Sequence, residues 1–132
     1  AGRAFQIIFE NPDVMPHNLV IVKPGSRERV GTAAMTLSPE KLDSRERAFV
    51  PNLDDVVNAT KILEPGQNET LRVNAIETEG VYEYVCTFPG HWLVMWGQLV
   101  VTKDPTAYLE QQRTVSTPAA PTPAAAAPHT AH

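Results

Sequence analysis

Cys86, His91 and Met95 share the short segment Cys86-Thr87-Phe88-Pro89-Gly90-His91-Trp92-Leu93-Val94-Met95, and Cys86 is the only cysteine of the chain. A thiolate, an imidazole and a thioether on one connection supply most of a soft-metal site. Thiolate with imidazole suits copper, and one Cys with two His and a weak axial Met describes a blue-copper electron-transfer centre. A second imidazole is needed. Met15-Pro16-His17-Asn18 offers it, because the remaining histidines, His129 and His132, lie far off in the C-terminal tail.

Taken singly, each residue has an ordinary role: a lone Cys packs as a small hydrophobe, and Met fills core space. The joint arrangement favours a metal. Pro89-Gly90 is a turn signal that can return His91 towards Cys86, and His17 sits where a turn enters a strand, as a fixed ligand should. Spacing alone leaves zinc open.

These donors need strands to hold them. Phe5–Glu10 is rich in β-formers, and Asn11-Pro12-Asp13 turns the chain. Asn18–Val22 is almost continuously apolar, which fits a strand covered on both faces. Ser38-Pro39-Glu40 carries the signals of a helix start, and the expected short amphipathic helix runs through Phe49 until Pro51-Asn52 stops it. Asp54–Leu63 leans towards strand through Val56, Val57, Thr60 and Ile62. Glu69–Ile76 alternates, and Val81–Val85 and Leu99–Thr102 flank the metal segment. Short strands, regular turns and one helical insertion predict an all-β sandwich over residues 1–104. Beyond it, Asp104-Pro105 begins a short helix over about 105–113, and the Thr/Pro/Ala-rich remainder to 132 is expected to be a disordered tail.

The formal net charge is −4, with 42% hydrophobic and 20% charged residues, ordinary for a globular protein and unsuited to holding nucleic acid through phosphates. Lys23, Arg27 and Arg29 read as a solvated loop. No run approaches the roughly 20 apolar residues that span a bilayer. One Cys makes an internal disulfide impossible. The sequons at Asn58 and Asn68 are short patterns that match often by chance.

Cys86-Thr87-Phe88-Pro89-Gly90-His91 followed by Met95 and Gly97 resembles the copper loop of azurins and auracyanins, and Pro16-His17-Asn18 resembles the first-ligand segment of plastocyanins and azurins. Over about residues 5–103 the chain is thus similar to the cupredoxins. The resemblance implies a Greek-key sandwich with one type 1 copper, held by His17, Cys86 and His91 with Met95 as axial ligand. It also implies that Asn18 bonds near Thr87. Pro16 stands where azurins have a glycine whose carbonyl nears the metal, which argues against a fifth ligand. Cupredoxins carry two strands ahead of the segment equivalent to Phe5–Phe9. The sandwich therefore lacks its first strands here, and the sequence reads as a fragment of a longer polypeptide or as completed by a partner or the C-terminal extension.

By the same resemblance the protein is a one-electron carrier and not an enzyme, working in the periplasm or elsewhere outside the cytoplasm. His91 is its electron port, and Pro89, Leu93, Val14 and Met15 form an apolar patch for weak docking to a cytochrome- or dehydrogenase-like partner. Trp92 divides between that patch and the core; Trp96 reads as core. The alternatives are an electron-transfer module of a larger copper or haem enzyme, and copper storage or delivery.

Overall fold

The computed structural model describes residues 1–43 and 45–115. Its strands are β1 (Phe5–Glu10), β2 (Val20–Val22), β3 (Val56–Ala59), β4 (Asn68–Val73), β5 (Gly80–Val85) and β6 (Trp96–Val101). The helices are α1 (Arg27–Ala34), between β2 and β3, and α2 (Pro105–Val115), after β6. β1 pairs with β4, and the other strands form an antiparallel sheet in the order β3-β2-β5-β6. The two sheets and two short helices make the all-β sandwich expected from the strand pattern.

β2 explains why its sequence is so evenly apolar. Successive strand side chains point to opposite faces. Ile21 enters the core between the sheets with Phe9, Leu19, Leu63, Leu71 and Val73. Val20 and Val22 point the other way, into a second core with Val30 of α1, Val50, Ala59, Val85 and Trp92. The larger sheet is covered on both faces, and no β2 side chain reaches solvent.

The helical insertion lies elsewhere than the cap signals place it. Among the described residues of 38–49 there are turns and one isolated bridge, Leu42 to Ala48, but no helix, and the helix is Arg27–Ala34. The Asp43 carboxylate accepts the N–H groups of Arg45 and Arg47 and the Arg47 guanidinium. Such side-chain bonds compete with helical ones. Glu46 (φ 62°) and Phe49 (φ 61°) are left-handed, which a right-handed helix excludes.

Arg27 and Arg29 lie on α1 and not in a loop, although Arg29 is exposed as expected. Arg27 lies 4.0 Å from the centroid of the Trp96 ring and 3.5 Å from Glu83, while Arg29 pairs with Asp55 at 3.3 Å. Strand character within 54–63 is confined to β3. Its Asn58 gives its amide to the Arg72 carbonyl, tying β3 to β4. At the start of α2 the Asp104 carboxylate accepts the Ala107 N–H. The Pro/Ala-rich tail, with His129 and His132, lies outside the described residues.

Candidate metal centre

The register of the larger sheet gathers the donors at one end. β2 and β5 pair with Val20 opposite Val85, so continuing the ladder sets Asn18 opposite Thr87. β5 and β6 pair with Val85 opposite Trp96, and the next step sets Met95 opposite Cys86. The Cys86 N–H donates to the Met95 carbonyl at 3.0 Å. Residues directly opposite in an antiparallel pair share a face. His17 precedes β2 and is pinned to Leu63 by two backbone hydrogen bonds, 3.1 and 2.8 Å.

Between Cys86 and Met95 the chain makes two tight turns. The His91 N–H donates to the Phe88 carbonyl at 2.9 Å, and Gly90 has φ +85°. Pro second and a left-handed Gly third is the signature of a type II turn, and it reverses the chain so that His91 faces Cys86. Val94 and Met95 then both donate to the His91 carbonyl.

The Cys86 sulfur lies 3.7 Å from Nδ1 of His17 and 3.5 Å from Nδ1 of His91, and the three donor atoms fall within 4.8 Å of one another. Metal–sulfur and metal–nitrogen bonds of about 2.3 and 2.0 Å, opened to about 110–120°, put S and N about 3.5–3.7 Å apart. The donor set therefore fits one small ion. His17 and Cys86 are buried, at 5% and 2% exposure, and His91 is half-buried.

Each donor is held from outside. His17 Nε2 meets Oδ2 of Asp13 at 2.8 Å. Asn18 and Thr87, both buried, exchange two hydrogen bonds: Asn18 Nδ2 donates to Thr87 Oγ1 (2.9 Å), and the Thr87 N–H donates to Asn18 Oδ1 (2.8 Å). The Thr87 hydroxyl donates onward to the carbonyl of Phe49, whose left-handed backbone aims that oxygen. The Phe49 ring stands edge-on to Phe88.

Burial pushes the Cys86 thiol up, partly offset by hydrogen bonds with the backbone at Asn18 and Phe88. A metal must therefore displace its proton. Burial lowers His91, and neighbouring His17 lowers it further, with Asp13 opposing. His91 is accordingly neutral and able to ligate near pH 7. The hydrogen bond to His17 leads the causes that hold Asp13 below the usual carboxylate value.

The apolar rim of the two ligand-bearing segments, Val14 (83%), Leu93 (61%), Val94 (65%) and Met15 (44%), is exposed. Pro89 of the Cys86–Met95 loop is exposed too. Trp92 is not part of this rim. It is 9% exposed, packs in the core against α1, and donates its Nε1–H to Met35 Sδ at 3.0 Å. Trp96 is half-buried against the same core. Sequence reasoning missed Asp13, Phe49 and Val94. Asp13 lies four residues before His17, a spacing that could have signalled it; a left-handed Phe leaves no such trace.

Fold and site together define a mononuclear His₂Cys metal protein on a β-sandwich, with a methionine set opposite the cysteine. Residues 2–102 match the family described as copper binding proteins, plastocyanin/azurin family, and the chain belongs to it. It is 35% identical over 103 residues to auracyanin-A of Chloroflexus aurantiacus, covering 76% of this chain and 60% of the relative. It is 32% identical over 89 residues to azurin-2 of Alcaligenes xylosoxydans xylosoxydans, covering 64% of each. The chain thus spans less than two thirds of the length of these relatives. Among solved structures, dithionite-reduced auracyanin from the photosynthetic bacterium Roseiflexus castenholzii superposes with a TM-score of 0.66 at 31% identity, covering 76% of this chain and 78% of that one. The cofactor of the centre is copper.

Proposed function

We propose that the chain is a one-electron carrier whose copper would be held by Nδ1 of His17, Sγ of Cys86 and Nδ1 of His91, with Met95, set opposite Cys86, offering a weaker thioether donor. The convergence of three donor atoms from two distant segments within 4.8 Å supports this reading most directly. Copper supplies the exchange between Cu(II) and Cu(I). The residues make that exchange easy. One thiolate and two neutral imidazoles give a centre of charge +1 or 0, a small change for a pocket where uncompensated charge is costly. The Cys86 thiolate favours Cu(I), and the imidazoles keep Cu(II) acceptable. Backbone pairing at His17 and Cys86, and the Asn18–Thr87 bonds between the two segments, would restrain the donors against movement between oxidation states.

His91 is the port through which the electron leaves, because it is the least buried of the three donors and is followed closely in the chain by the exposed Leu93 and Val94. A small apolar rim suits brief encounters with redox proteins such as a cytochrome or a dehydrogenase. The reading places the protein outside the cytoplasm, in the periplasm or an equivalent compartment, and gives it no reaction of its own. Residues 105–132 form an extension to a copper domain spanning 1–104. No described helix is long and apolar enough to cross a membrane.

Copper addition followed by voltammetry tests this. One equivalent of Cu(II) should give an intensely blue protein with a reversible one-electron wave, and Cys86→Ser should lose both. A blue protein that surrenders copper rapidly to a chelator and shows no reversible wave would favour storage or delivery instead.

A further inference from the structure

We propose that Asp13 is a positioning residue of the metal centre: its carboxylate fixes the proton of His17 on Nε2, aims Nδ1 at Cys86, and biases the centre towards Cu(II). The inference rests on copper being held by His17, Cys86 and His91.

A neutral imidazole carries one ring proton, and an ionised carboxylate can only accept. At 2.8 Å from Asp13 Oδ2, Nε2 must hold that proton, which leaves the Nδ1 lone pair facing the Cys86 sulfur. Asp13 is itself held in place. Its Oδ1 accepts the Val14 N–H at 2.6 Å, and its own N–H donates to Asn11 Oδ1 at 3.0 Å. Asn11 is 2% exposed and gives its amide to the carbonyls of Met15 (2.8 Å) and Leu63 (2.9 Å). Leu63 is the residue whose backbone pins His17. Asn11, Asp13, His17 and Leu63 therefore close a ring of hydrogen bonds around the first imidazole.

A carboxylate behind a ligating histidine orients the ring and raises its basicity. The added negative charge stabilises a centre of charge +1 more than a neutral one. Its effect reaches the sulfur through a dry path, since the His17 side chain is 7% exposed, although the Asp13 side chain itself is 50% exposed and partly screened.

Asp13→Asn keeps the size and an acceptor for Val14 while removing the charge, and Asp13→Ala removes both. Voltammetry of the copper-loaded proteins and proton-detected nitrogen NMR of the metal-free proteins would test the proposal. The Cu(II)/Cu(I) balance of Asp13→Asn should shift about tenfold towards Cu(I), a rise of about 59 mV for one electron. Cu(II) affinity of Asp13→Ala, read by chelator competition, should fall about 10–100-fold. Metal-free wild type should show the His17 proton on Nε2, protected from exchange, and Asp13→Ala should lose that protection. Potentials of both variants equal to the wild type, or a His17 proton on Nδ1, would overturn the inference while leaving the copper reading intact. A wild type that forms no blue centre would overturn both, and the NMR result on metal-free protein separates the two failures.

Discussion

A β-carbon added to Gly31 would lie 2.3 Å from Cδ2 of Trp92. The helix α1 thus meets the residue that follows His91 at a distance only a glycine permits. Trp92 is buried there and bonded to Met35 at the helix end, so the metal loop is anchored from behind by an element distant in sequence. Gly31→Ala removes a helix-interior glycine, a change that alone stabilises by about 1 kcal/mol. Overpacking against a rigid ring costs about 1–3 kcal/mol. The variant should be less stable in urea unfolding, with a perturbed copper spectrum. A gain in stability would show that the Trp92 ring yields easily.

Asn18 and Thr87 carry the second prediction. Asn18→Ala leaves the buried Thr87 N–H without its partner, and a buried unsatisfied group costs about 1–3 kcal/mol. The same change unties the segment after β5 that bears Cys86 from the segment before β2 that bears His17. Unfolding should show the loss of stability in the metal-free protein, and chelator competition should show weakened copper binding. Stability equal to wild type would mean that water replaces the amide.

The contact of Asn18 with Thr87 is implied in the sequence only through the resemblance of its ligand segments to cupredoxins. The Cys86–Met95 loop, the Pro89-Gly90 reversal and the β2 run all carry strong local chemistry. The cap signals point to the wrong segment for the helix, and the reason is physical. Ser38-Pro39-Glu40 has good capping letters, but Asp43 captures the backbone of Arg45 and Arg47 instead. α1 has little apolar signal, because its buried face is Val30, Gly31 and Ala34, and small residues there leave room for Trp92. Trp92 is ambiguous in sequence because its burial depends on α1, which the apolar pattern does not reveal. Phe49 acts through a backbone carbonyl bond that no periodicity encodes.

Asp43 gives a pH prediction. Burial alone would raise its carboxyl, but hydrogen bonds from the Arg47 backbone, the Arg47 guanidinium and the Arg45 backbone bring it below its ordinary value of 3.8. A carboxyl depressed in the folded state stabilises fully above its unfolded value, and the contribution is lost as pH falls through the folded one. Asp43→Asn should therefore be less stable than wild type at about pH 7, with the gap closing below about pH 4. Urea midpoints at several pH values would measure it. A gap independent of pH would mean that the loop depends on shape and not on charge.

The apolar rim predicts a kinetic effect without a thermodynamic one. Val94→Lys places a charge where Val94 is 65% exposed. Charges at the edge of a docking surface act mainly on association rate. Electron exchange with a soluble c-type cytochrome should slow by about tenfold in stopped flow. The reduction potential and the rate with a small inorganic oxidant should stay unchanged. Equal slowing with both oxidants would place the effect at the metal and remove the rim from the account.

X-ray absorption at the copper edge of the loaded wild-type protein would probe the first coordination shell directly. Sγ of Cys86 and Nδ1 of His17 and His91 should appear as one sulfur at about 2.3 Å or less and two nitrogens near 2.0 Å. A shell of nitrogen and oxygen alone, with no sulfur, would contradict the joint grip of Cys86, His17 and His91 on one ion.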